Sequence, residues 1–185
     1  SLKKIEVEGQ YKPDMYDFQA GGAVSYDKKK YHAAADWSVP KTLRRDFEGT
    51  HSLSFGCPAR TITLTGKLAK KSAVWSGEHE LQLDVERNPQ KKINTEWSIT
   101  LNPISPKVFA KAAWFPQKFV QMEAEGSYEP EGWYRTTNDL QASVKFTSSF
   151  PMLEKIDASI QHDYGHDAIQ SSGQVSWGRG QTITA

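Results

Sequence analysis

The chain has one cysteine, Cys57, in 185 residues. A single thiol excludes an internal disulfide and a cysteine-based zinc cluster, and it leaves the redox compartment open. No run of about 18 apolar residues occurs, so no segment reads as a transmembrane helix. An excess of charge is also missing: 23 Lys and Arg stand against 22 Asp and Glu, a formal net charge of +1. That balance lacks the polyelectrolyte signature of a nucleic-acid binder. There is no Asn-x-Ser/Thr sequon, so glycosylation gives no clue to secretion. The opening Ser1-Leu2-Lys3-Lys4 has neither an initiator Met nor an apolar signal core. The chain is therefore expected to begin inside a longer polypeptide or after processing.

Catalytic signatures are missing as well. Gly-x-Ser-x-Gly, His-Glu-x-x-His and the phosphate-binding P-loop do not occur. Carboxylates are scattered along polar strand faces, where lysine and arginine can pair with them. Neither an enzyme nor a cofactor is expected. His162 and His166 have His-x3-His spacing, but Gly165 and the preceding alternation place them at a strand end, and a zinc site needs further ligands.

What the chain does have is alternation. Trp75, His79, Leu81, Leu83 and Val85 fall on odd positions, with Ser76, Glu78, Glu80, Gln82, Asp84 and Glu86 between them. Side chains alternate across a strand, so this stretch predicts one long strand with an apolar and a polar face. At roughly 3.3 Å per residue it would run about 40 Å. After Asn88-Pro89-Gln90, Ile93, Trp97, Ile99 and Leu101 resume the odd pattern. Residues 74–101 are thus expected to form a hairpin whose paired numbers sum to an even value, such as 178 or 180, because only an even sum keeps apolar opposite apolar.

The same reading extends along the chain. Ile5 and Val7 alternate with charges, and a weak strand from Met15 to Ala20 is expected to break at Gly21-Gly22. Tyr31 to Val39 alternates until Pro40, which cannot donate to a ladder. Phe47 to Phe55 is odd-faced, whereas Ile62, Leu64 and Leu68 are even. Asn102-Pro103-Ile104-Ser105-Pro106 is the strongest break. Lys107 to Phe115 is rich in alanine but is read as a strand. Val120 to Tyr128, Leu140 to Phe146, Ile156 to Ile160 and Val175 to Ile183 follow, with a turn at Glu129-Pro130-Glu131-Gly132. The expected fold is all-β: ten or eleven long amphipathic strands in an antiparallel meander, forming a large open sheet or sheets. Residues 1–185 read as one all-β region, with a candidate sub-boundary near 102–106.

Lysine pairs recur near strand ends, at Lys3-Lys4, Lys28-Lys29-Lys30, Lys70-Lys71 and Lys91-Lys92. They suit anionic headgroups or an acidic receptor, but solvated turns and protection of edges against aggregation are the preferred reading. The six tryptophans fit either a lipid–water boundary or a sandwich core.

The run Val144-Lys-Phe-Thr-Ser-Ser-Phe-Pro-Met-Leu-Glu-Lys-Ile-Asp-Ala-Ser-Ile-Gln161 resembles a recurring segment of large lipid transfer proteins, the group of apolipophorins, vitellogenins and apolipoprotein B. In that group a strand ends in a Thr/Ser-Pro-Phe-like turn, and a second short alternating strand follows. Here the order is Phe150-Pro151. Leu101 to Ala113 has a similar character, so the resemblance covers roughly residues 95–185. It implies a secreted lipoprotein portion whose sheet cradles phospholipid or neutral lipid, with the remainder of a larger chain as its other partner. The lipid-facing residues expected are Trp75, Leu81, Leu83, Val85, Ile93, Trp97, Ile99, Leu101, Val144, Phe146, Ile156 and Ile160. A transmembrane β-barrel and an extracellular β-sandwich adhesion domain are the competing readings.

Overall fold

A computed structural model describes residues 5–27, 29–41, 46–114, 116–129, 137–151, 155–165, 169–178 and 180–184. Lys3, Lys4, Lys28, Phe115, the Pro130-Glu131-Gly132 turn and His166 lie outside them. Within the described residues there are thirteen strands and no α-helix. They are β1 (Ile5–Lys12), β2 (Asp17–Tyr26), β3 (Lys29–Ser38), β4 (Phe47–Cys57), β5 (Arg60–Lys71), β6 (Val74–Gln82) and β7 (Lys92–Thr100). They continue with β8 (Lys107–Trp114), β9 (Lys118–Glu129), β10 (Thr137–Ser148), β11 (Lys155–Gly165), β12 (Ile169–Trp177) and β13 (Gln181–Thr184). The strands hydrogen-bond in sequence order as an antiparallel meander, with β1 and β13 at the two ends of that order. This is the all-β fold that the alternation predicts.

Three details differ from the sequence reading. The strand from Val74 stops at Gln82, not Glu86, so Leu83 and Val85 belong to the connection to β7. That segment folds on itself: Asn88 N donates to Asp84 O, and the Asp84 carboxylate accepts from Arg87 N and from Asn88 Nδ2. Asx-type bonds of this kind draw the backbone out of a ladder. Gly21-Gly22 does not break β2, because Gly21 pairs with both Gln10 and Ala34, and Gly22 with Gly9 and Ala33. A ladder on each side holds the glycines extended. The count is thirteen strands because short pieces such as β13 also pair.

The alanine-rich segment 107–114 is a strand, as expected. At the open end of the β6–β7 hairpin, Leu101 N donates to Ala73 O at 2.8 Å. Those numbers sum to 174, an even value, although neither 178 nor 180.

The chain divides into two compact units. The first is Ser1–Ser72, Ser76–Thr95 and Trp114–Pro116; the second is Ala73–Trp75, Glu96–Ala113 and Gln117–Ala185. In the first unit, β2 and β3 join through a two-residue turn, with Tyr26 opposite Lys29 and Asp27 at φ 49°. Two-residue hairpin turns need such positive φ to match the twist of their strands. β4 and β5 likewise join with Cys57 opposite Arg60. In the second unit, β9 to β13 pair in order, β8 neighbours β9, and the segment before β8 continues that pairing, with Gly126 N donating to Pro106 O and Tyr128 N to Ile104 O.

Neither unit encloses an ordinary core. Among the described residues, Phe47 at 8% exposure is the one buried hydrophobic side chain, and Ser148 is the one buried polar side chain.

Candidate functional site

The registers decide which residues share a face, because directly opposed residues point to the same side. In the first unit the apolar residues line up across five strands. One row is Tyr11, Ala20, Ala35, Leu53 and Leu64; the next is Gly9, Gly22, Ala33, Phe55 and Ile62. A third is Val7, Val24 and Tyr31, and a fourth pairs Phe18 with Trp37. Apolar residues are odd in β1, even in β2, odd in β3 and β4, and even in β5. The pairing compensates every switch, so they all reach one side.

In the second unit, Met122, Phe146, Ile156 and Trp177 form one row, and Ala124, Val144, Ala158, Val175 and Ile183 form another. Leu140 and Tyr128 pair in a further row. Leu53, Phe55, Leu140, Val144, Ile160, Val175 and Ile183 are all exposed. Each unit thus presents an apolar sheet face that no described residue covers.

Charge is sorted between the faces. In β1 to β5 the carboxylates Glu6, Glu8, Asp17, Asp36 and Glu48 all lie on the reverse side, by the same registers. In β9 to β11, Glu123, Glu125, Glu129, Asp139 and Asp157 do the same. The reverse sides carry exposed ion pairs, Lys12 with Asp17, Lys30 with Glu8, Lys67 with Glu48 and Lys107 with Glu125. Pairs this exposed contribute about 0–1 kcal/mol each. Ser52 also donates to Asp36, and His32 meets Ser54 Oγ at 3.4 Å. The cations on the apolar face of β1 to β5 are Lys29, Arg60 and Lys70, all at strand ends.

Two histidines interrupt the apolar face of the first unit. His51 of β4 and His79 of β6 lie 5.0 Å apart, centroid to centroid. They meet over Gly66 of β5, where a Cβ would stand 2.6 Å from both His51 Nε2 and His79 Cδ2. Glycine is needed there for space. Burial, and then the neighbouring His51, lower the His79 pKa from its ordinary value. Their contact shows that odd residues of β6 share the apolar side, which places Leu81 there.

The predicted residues divide as follows. Trp75 and Leu81 lie in β6, Ile93, Trp97 and Ile99 in β7, and Leu101 just beyond it. Leu81 and Ile93 belong to the first unit, and Trp75, Trp97, Ile99 and Leu101 to the second. Leu83 and Val85 are in the connecting segment, where Val85 N donates to Thr61 O at 3.1 Å. Val144, Phe146, Ile156 and Ile160 are brought together: Phe146 faces Ile156, and Val144 and Ile160 lie in adjacent rows. The predicted lipid-facing set left out Phe18, Val24, Tyr31, Trp37, Leu53, Phe55, Ile62 and Leu64, which build most of the apolar face of β2 to β5. Their signal was visible as alternation, but assigning them to one side requires the registers.

Among the described residues, no group of three or more His, Cys, Asp or Glu is arranged to hold a metal ion. No family model matches the chain, and neither does any curated protein or solved structure.

Proposed function

We propose that this chain is a noncatalytic lipid-binding module, part of a larger secreted lipoprotein polypeptide, whose apolar sheet faces contact phospholipid or neutral lipid. The observation that carries the reading is the pair of uncovered, carboxylate-free apolar faces, one in each unit. Water-exposed sheets usually alternate apolar-in with polar-out around a covered core. Monomers rarely leave an apolar patch larger than a few hundred Å² open. Contact with acyl chains removes that surface from water at roughly 25 cal/mol per Å². The likeness of residues 144–161 to large lipid transfer proteins points the same way and is the basis for secretion and for the larger parent chain.

The test is uptake by zwitterionic phosphatidylcholine vesicles, read by flotation, with acyl-chain-brominated lipid as a quencher. Trp37 and Trp177 lie on the two faces, so the expected result is co-flotation with quenched tryptophan emission. A stable, lipid-free monomer that ignores vesicles would sink the reading in favour of a sandwich-type protein contact. Discrete ion conductance would favour a barrel.

A further inference from the structure

The apolar face of the first unit is not flat. Its middle rows carry small residues, Gly22 and Ala20 on β2, Ala33 and Ala35 on β3. Bulky Leu53 and Phe55 on β4, with Ile62 and Leu64 on β5, rise along one side. The result is a shallow, open trough of about 590 Å³ lined mostly by apolar atoms. Its size falls within the roughly 300–1,000 Å³ of small-ligand sites.

The rows that flank the trough along the strands differ. At one end Phe18 and Trp37 stack at 4.0 Å between centroids, and Tyr11 packs edge-on against Phe18. Trp37 is fixed further because its Nε1 donates to Met15 O at 3.2 Å. At the other end, beyond Val24 and Tyr31, stand Lys29 on β3 and Arg60 on β5. Arg60 also lies near enough to Asp84 to help lower that carboxylate's pKa, whereas Lys29 stands at the start of β3. From Trp37 to Lys29, β3 runs roughly 26 Å at about 3.3 Å per residue.

We propose that this trough binds one single-chain anionic amphiphile, with its alkyl chain over Ala20, Ala33 and Ala35 and its anionic head at Lys29 and Arg60. The inference rests on the lipid reading of this face and adds a defined subsite to it. Alkyl chain and anion are both called for: the floor is built of small apolar residues, and Lys29 and Arg60 stand on the same face beyond it. The same face carries no strand carboxylate of β1 to β5 to repel the head. Carboxylate and phosphate monoester heads share this chemistry.

The test uses the full chain with hexadecanoate, hexadecyl phosphate and uncharged hexadecanol, read by isothermal titration below the critical micelle concentration. Both anions should bind near one per chain, and hexadecanol at least fivefold more weakly. Ala35→Phe fills the floor while adding apolar surface. It should lower anion affinity at least tenfold. Lys29→Gln should cost about fivefold for the anions, as expected for one basic residue near an anionic group, and leave hexadecanol unchanged. Native circular dichroism is required of both variants. Vesicle uptake without saturable hexadecanoate binding overturns the trough alone. Failure of both overturns the lipid reading and the trough with it. Unchanged anion affinity in Ala35→Phe also overturns the trough.

Discussion

Leu53→Asp tests whether the apolar face meets lipid. Leu53 sits on β4 between Ala35 and Leu64, with 51% of its surface still open to water. Full burial of a leucine side chain is worth about 1.5–3 kcal/mol. Covering the open half with acyl chains therefore contributes about 1 kcal/mol to association. An aspartate at this position loses that term and must also be taken out of water or hold lipid away, which costs at least roughly the 1–3 kcal/mol of an uncharged polar group. The sum, at least about 2–4 kcal/mol, corresponds to partitioning weaker by a minimum of roughly 30- to 1,000-fold at 1.4 kcal/mol per tenfold. Thr63→Asp is the control. Thr63 lies on the reverse side of β5, opposite Ser54, and its change should alter partitioning by no more than about twofold. Flotation with phosphatidylcholine vesicles measures both, and far-ultraviolet circular dichroism checks the fold. Folded Leu53→Asp that partitions like the parent chain would show that this face does not meet lipid.

Ile160→Asp should repeat the loss in the second unit, since Ile160 is 54% exposed on the apolar side, whereas Gln161→Asp on the reverse side should do little. The lowered His79 pKa gives a sign for pH. The unfolded chain takes up the proton first as pH falls through the ordinary imidazole value near ~6.5. Stability should therefore drop below that pH, and His79→Gln should flatten the dependence of the urea midpoint on pH. Glu86 is held below its ordinary range chiefly by the Thr61 hydroxyl, and Asp84 by the Asn88 side chain. Their contribution is present above the carboxylate range and is lost as pH falls through the folded-state values. The exchange protection factor of the Val85 amide should accordingly fall under acid, and Glu86→Gln should lower it already at neutral pH and flatten its pH dependence. Ser72 has φ 55° without being glycine. Because asparagine tolerates the left-handed region better, Ser72→Asn should raise stability by up to about 1 kcal/mol in thermal melts.

Much of the fold could be read from alternation alone, including the strand character of 107–114 against its helix-favouring alanines. The end of β6 could not, because Leu83 and Val85 continue the odd pattern beyond Gln82. What ends the strand is local side-chain bonding, Asp84 to Arg87 and Asn88, which periodicity does not register. The Gly21-Gly22 pair misled for the opposite reason. Glycine weakens an isolated strand, but here ladders on both sides hold it. The candidate site was legible at β10 and β11, where Val144, Phe146, Ile156 and Ile160 do share a face. It was not legible in β1 to β5, where the apolar parity changes from strand to strand and no single odd or even rule applies.

Those parity changes follow from turn length. A two-residue turn joins residue i to residue i+3, so an odd number must face an even one. Tyr26 opposite Lys29 and Cys57 opposite Arg60 are such joints, and the apolar positions switch parity across each. Between β3 and β4 the paired numbers sum to an even value, as Ala35 with Leu53 does, and the apolar parity is kept. A mismatch at one joint would turn a whole strand's apolar set toward the charged side. With little burial to hold the strands in place, register must come from this agreement between turn length and sequence parity. The proposed lipid contact gives the gathered side a use: a low-dielectric covering would penalise a carboxylate left beneath it, and the strand carboxylates of β1 to β5 all lie on the other side.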